Sequence, residues 1–250
     1  MKKFELTAEF VTNVFGKKLF RIKALVAFGN VVKGELGGFI EKEDNLSHDG
    51  DAWVYGDAQI SGDAQVSGNA QVSGDAWVYG NARISGDAWV YGNAWVYGDA
   101  QIAGDAQVSG NAQVSGDAWV YGNARISGDA WVYGNARISG DAWVYGNAWV
   151  SGNAQVSGDA QVSGNAQVSG DEDYAVVEGF GRHFRATTFF RCKDKILRVQ
   201  CGCFYGDLAQ FREIVKKTHG DSKYAKEYLA IADLMELHFS DDEGRQEAAE

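Results

Sequence analysis

Proline is missing from all 250 residues. Every peptide unit therefore carries an N–H, as a chain of paired strands requires. Cysteine occurs three times, at Cys192, Cys201 and Cys203. An odd number of closely spaced thiols argues for reduced cysteines in a cytoplasmic setting and against a disulfide framework. No apolar run approaches the roughly 18 residues of a membrane span. The opening MKKFELTAEF has charges where a secretory signal would have an apolar run. Positive charge is also scarce, with 23 Lys and Arg against 34 Asp and Glu and a net charge of −11. Nucleic acid is a poor partner for such a chain. The scarcity is sharpest between Gly50 and Ser169, a stretch without His, Cys, Lys, Glu or Thr. Chemistry that needs an imidazole base, a thiolate or a His/Cys metal set cannot come from there.

What fills that stretch is one phrase, G-[D/N]-A-x-[V/I]-x, written twenty times without a gap, so 20 × 6 = 120 of 250 residues obey one rule. A fixed short period is the mark of a solenoid. Ala and Val or Ile stand two apart, as Ala52 and Val54 do, and flanking residues such as Trp53 and Tyr55 point the other way. This alternation predicts a half-buried strand. Gly followed by Asp or Asn predicts a corner, because these residues reach positive φ most readily. Three phrases close a triangle of 3 × 6 = 18 residues, so twenty make between six and seven coils. At roughly 4.8 Å per coil the rod is on the order of 32 Å long. Its interior is expected to hold Ala in one layer and Val or Ile in the other.

An aliphatic residue every six positions, with a small residue four after it, resembles the hexapeptide-repeat, left-handed parallel β-helix proteins. The left hand is what that resemblance implies. The fold it implies hosts acyltransferases, carbonic-anhydrase-like enzymes and proteins with no known chemistry. A narrower resemblance lies in Leu25 to Tyr55. Phe28, Val31 and Gly34, then Gly37 to Ile40, then Asn45 to Tyr55 are similar to the N-terminal cap of the YdcK-like family of bacterial and phage proteins, which has no assigned activity.

The reading is thus a mainly β chain, a triangular single-stranded parallel β-helix with 18 residues per coil and a unit at each end. Residues 1–49 form an N-terminal β cap, with a turn at Gly16-Lys17. Such a cap covers the open strand edges of a solenoid end. Residues 50–169 are the β-helix. Residues 170–239 read as a small β-β-β-α-α unit. Asp207 and Gly220 bound its first helix, and Ser222 starts its second. The acidic residues 240–250 are expected to be disordered.

Residues 18 apart share a face. The outward residue after Ala is Gln nine times, Trp eight times and Arg three times, and seven of the Trp are followed two residues on by Tyr. Face one carries Trp77/Tyr79, Trp95/Tyr97, Trp131/Tyr133 and Trp149, interrupted by Gln59, Gln113 and Gln167. Face two carries Trp53/Tyr55, Trp89/Tyr91 and Trp143/Tyr145, and face three only Trp119/Tyr121. Aromatic ladders along a sheet stabilise it. An exposed Trp/Tyr patch also suits a protein interface or a sugar platform.

Other chemistry has thinner support. The four His (48, 183, 219 and 238) all lie in the flanks, and only His48 adjoins the first coil. Cys192, Cys201 and Cys203 with His183 are the one candidate metal set. Their C-x8-C-x-C spacing is no zinc knuckle, and Cys201 and Cys203 are expected on one strand face as packed thiols. The corners, eleven Asp and nine Asn, lack the Ca²⁺-binding nonapeptide. The expectation is a non-enzymatic solenoid scaffold or interaction module without a cofactor. It would bind itself or a protein partner through its Trp/Tyr faces or its C-terminal unit. The alternatives are an acyltransferase-like enzyme holding CoA between subunits, and a module that binds a glycan or small ligand on its aromatic face.

Overall fold

The computed structural model describes residues 1–240, so the expectation of a disordered tail over 240–250 falls, Ser240 apart, outside the described residues. β1 (Phe4–Thr12) and β2 (Lys18–Ala24) form an antiparallel hairpin, and β2 pairs with β3 (Leu36–Ile40). Among the described residues, twenty two-residue strands then follow at six-residue intervals, from β4 (Trp53–Val54) to β23 (Gln167–Val168). Each pairs in parallel with the strand 18 residues away, so three sheets build a β-solenoid of about seven turns. The sheet of face one continues through β3 into the hairpin.

The Ala and Val/Ile of every phrase are buried, and they form one linear core. The corners are tight. Gly110 has φ +68°, and a Cβ there would stand 2.9 Å from the backbone N and O of Gly128, one coil on. Glycine is thus needed there both for the dihedral and for the close approach.

The solenoid begins before residue 50. Phe39 and Ile40 pair in parallel with Gln59 and Ile60, and Leu46 bridges Val66. Part of the expected 1–49 cap is therefore a first, partial coil. Gly37 and Gly38 are glycines because a Cβ would fall 2.5 Å from the Val54 carbonyl oxygen and 2.6 Å from that of Ala58.

The ladder bonds between coils run both ways, as parallel strands require, but most of them point forward along the rod. The Trp95 N–H donates to the Ala112 carbonyl and the Gln113 N–H to the Ala130 carbonyl, both at 2.9 Å. The first coil consequently presents mostly carbonyls and the last mostly N–H groups, and buried backbone groups need partners. Donors meet the carbonyls. The buried Asn45 amide donates to Gly62 O at 3.1 Å and Ala64 O at 2.8 Å. The Lys3 ammonium donates to Gly50 O at 3.2 Å and Ala52 O at 2.9 Å. Acceptors meet the N–H groups at the far end. Asp171 accepts from the Gln155 N–H at 2.8 Å, Thr188 Oγ1 from Gln161 at 2.9 Å, and Asp173 from Ser169 at 2.8 Å.

The C-terminal unit is an antiparallel sheet of β24 (Tyr174–Val177), β25 (Thr187–Arg191), β26 (Leu197–Cys201) and β27 (Phe204–Asp207), followed by α1 (Leu208–His219) and α2 (Lys223–His238). This corrects the expected β-β-β-α-α order. The run from Lys195 to Phe204 folds into a hairpin at Gly202 (φ +58°) and Cys203. β25 works on both sides. Phe190, with Cys192 beyond it, closes the rod's core, while Phe189 packs against Phe211 under the helices. The Asp207 carboxylate accepts the Gln210 N–H at 2.8 Å to start α1, and Ser222 starts α2. No helix among the described residues is long and apolar enough to cross a membrane.

Candidate binding site on the aromatic face

Face one gathers the aromatics that sequence places there. Trp77 and Trp95 stack at 5.2 Å between centroids and 8° between planes, and Trp131 and Trp149 at 5.4 Å and 11°. Tyr79 and Tyr97 stack at 5.0 Å and 2°. Strictly parallel strands with an 18-residue register put like side chains one coil apart, which is the stacking distance of rings. Outward residues read Gln59-Trp77-Trp95-Gln113-Trp131-Trp149-Gln167 in one column and Ser61-Tyr79-Tyr97-Ser115-Tyr133-Ser151-Ser169 in the next.

Both ends of this strip are overhung. The tip of the β1–β2 hairpin carries Phe15 to within 6.5 Å of Trp77 and 5.2 Å of Tyr79. Ion pairs of Lys17 with Glu41 (3.0 Å) and Arg21 with Glu9 (2.7 Å) hold that hairpin. At the other end the Lys193 ammonium lies 5.9 Å from the Trp149 ring. Between the overhangs Trp95 and Trp131 remain 36% and 40% exposed. Where the phrase GNAQVS puts Gln113 and Ser115 in place of Trp and Tyr, a cavity of about 330 Å³ opens. It is walled by Tyr97 on one side and by Trp131 and Tyr133 on the other, floored by Gln113 and Ser115, and extends to Trp149. The Tyr97 hydroxyl donates to Gln113 Oε1 at 3.4 Å. No charged residue lines it among the described residues.

The other faces differ. Trp53, expected outward, does face outward but is fully covered by the N-terminal cap, with Phe28 at 5.4 Å and Phe4 at 6.4 Å. Trp89 lies between Gln71 and Gln107, Trp119 lies under the Arg137 guanidinium at 5.4 Å, and Trp143 donates its indole N–H to Ser127 at 3.1 Å.

The candidate catalytic and metal groups are dispersed. His48 has both ring nitrogens engaged: Nδ1 accepts the Lys3 backbone N–H at 3.2 Å and Nε2 faces the Glu43 carboxylate at 2.7 Å. That pair, with Lys2, holds the Glu43 carboxyl below its usual range. His183 sits on the exposed β24–β25 loop. Cys192 is buried at the rod's end, and burial pushes its thiol up. Cys201 lies beside Thr187 Oγ1 at 3.2 Å, while Cys203 is exposed in the hairpin turn, so the two do not share a strand face as expected. Among the described residues no three His, Cys, Asp or Glu come together in a metal-holding group. Sequence reasoning missed the two overhangs and the pocket at Gln113 and Ser115. The pocket's signal was present as the one QVS phrase between two WVY phrases on face one.

No curated protein matches the chain. Ten overlapping segments, the first at 58–74 and the last at 154–170, match the family described as YdcK Beta solenoid repeat, together covering 58–98 and 106–170. That family agrees with the 18-residue turn seen here. Within those segments, 58–98 and 106–170, the chain carries the YdcK beta solenoid repeat.

Proposed function

We propose that this protein is a non-enzymatic, cytoplasmic solenoid that serves as a binding module, with the face-one strip from Trp95 to Trp149 as its recognition surface. The observation that carries this reading is the contrast along one column of aromatics. Trp77 is overhung by Phe15 and Trp149 by Lys193, while Trp95 and Trp131 stay open around a cavity. Large rings kept in the open on a rigid sheet are what recognition surfaces use. The core stays all Ala, Val and Ile, so specificity rests on the outer columns alone. The overhangs stand in the way of a second rod lying lengthwise on the strip. This favours a partner that enters the recess over a lengthwise homodimer.

The test compares the full chain with its Trp95→Ser/Trp131→Ser variant, immobilised and exposed to host-cell extract, with sedimentation velocity run alongside. A species retained by the wild type and lost from the variant at matched folding supports the reading. An identical set retained by both overturns it. A dimer abolished by the variant would replace it with self-association.

A further inference from the structure

We infer that the pocket at Gln113 and Ser115 is a subsite for one neutral pyranose ring, an inference that rests on the face-one strip being a recognition surface. The argument begins with the ladder. Tyr79 and Tyr97 lie one coil apart with rings 5.0 Å from each other and parallel to within 2°. Tyr133 is two coils from Tyr97, with Ser115 between them. At roughly 4.8 Å per coil the Tyr97 and Tyr133 rungs are about 9.6 Å apart. A ring entering above Ser115 would sit about 4.8 Å from each rung, the separation the tyrosines already keep among themselves. The tryptophan column breaks at the same coil, where Gln113 stands between Trp95 and Trp131. The pocket is therefore one missing rung wide and two side chains broad.

The chemistry of its lining selects among rings. The walls are aromatic faces, and the floor and rim carry neutral hydrogen-bonding groups: the Gln113 amide, the Ser115 hydroxyl and the Tyr97 and Tyr133 hydroxyls. A pyranose has the complementary distribution, C–H faces above and below and hydroxyls around its equator. A few polar groups in a mostly apolar concavity are the usual make-up of a small-ligand site. With no charged group among the lining residues, neither a phosphate nor a carboxylate would find a counter-charge, so nucleotides and acidic sugars fit badly. The spacing also exceeds the roughly 3.4 Å per side at which a flat nucleobase would pack, whereas a puckered ring is thicker. The recess between the hairpin tip and the Lys193 turn leaves space along the rod for neighbouring sugars, with Trp95 and Trp131 flanking the pocket.

The experiment uses the full chain and a panel of methyl glucosides, galactosides and mannosides with N-acetylglucosamine, and adenosine as the flat-ring control. Binding is read by ligand-observed NMR and by tryptophan fluorescence. The key variant is Gln113→Trp/Ser115→Tyr. It rewrites GNAQVS as GNAWVY, the phrase the chain already uses at 92–97, so it closes the ladder while keeping the fold. Gln101→Trp, which changes the same kind of position on face three, is the control. The expected result is at least one pyranoside bound by the wild type and by Gln101→Trp in the millimolar range, with at least a tenfold loss in the double variant. No pyranoside bound by the wild type, equal binding by the double variant, or preference for adenosine each overturns the inference. Any of these leaves the binding-module reading standing if the Trp95→Ser/Trp131→Ser comparison still shows a lost partner, so the two fail separately.

Discussion

Lys3 shows how one side chain can be tied to the architecture around it. It is 3% exposed, donates to two carbonyls of the first coil, and lies 4.6 Å from the Phe28 ring. Burial pushes its ammonium down from 10.5 to about 8, against the pull of Asp51 and Asp49. Between pH 8 and 10.5 the unfolded chain then holds the proton that the folded chain has released, so this residue's contribution to stability rises with pH across that window. The neutral amine keeps two N–H groups for its two carbonyls. Chemical denaturation of the wild type and of Lys3→Met at pH 8 and pH 10 should show the difference growing in favour of the wild type by about 1–2 kcal/mol. A difference that is flat or shrinking with pH would mean that Lys3 keeps its proton in the fold.

At the scale of the strand and corner, the solenoid is held in register by side-chain ladders as well as by backbone. Asn69 donates its amide to Asp87 at 2.8 Å, Asn81 to Asp99 at 2.8 Å, and Asn123 to Asp141 at 2.9 Å. Asn123 separates Asp105 from Asp141 in a corner column that also holds Asp87 and Asp159. Asn123→Asp would put five carboxylates in a row one coil apart. Melting should fall by several degrees at low salt and recover most of the loss in 1 M NaCl, where screening acts within about 3 Å. An equal loss at both salt concentrations would assign the effect to the lost amide bond alone. These elements were legible in the sequence because each obeys a local rule repeated twenty times: Ala52 and Val54 already state it. The face assignments of Trp77, Trp95, Trp131 and Trp149 followed from counting by eighteen. What stayed hidden depends on contacts without a period. Nothing local in Phe15 says that it reaches Trp77, and nothing in Trp53 says that Phe4 and Phe28 will cover it. The Lys195–Phe204 run reads as an unbroken strand because a glycine inside an apolar run marks a bulge as readily as a hairpin turn.

For the whole molecule, the predominantly forward hydrogen bonding makes the two ends chemically different. The N-terminal coil needs donors and gets them from Lys3 and Asn45; the C-terminal coil needs acceptors and gets them from Asp171, Asp173 and Thr188. Each uncapped end would suit the other end of a second copy, and heterologous contacts of that kind grow without closing. The isolated array, residues 50–169, should therefore assemble head to tail into filaments visible by electron microscopy, while the full chain under the same conditions should not. A stable monomeric array would show that the caps are not what limits growth.

Repeat number also sets the bearing of one end on the other. Trp77 and Trp149 are four whole turns apart, 149 − 77 = 72 residues, which is why the hairpin tip and the Lys193 turn overhang the same side. Inserting one phrase between them would swing the distal end through about a third of a revolution and leave the strip bounded at one end only. Inserting three would lengthen it by one notch and keep both guards aligned. The protein behaves as a dial as well as a ruler, and a gene drifting in copy number by single phrases would change what it can grip long before it changed whether it folds.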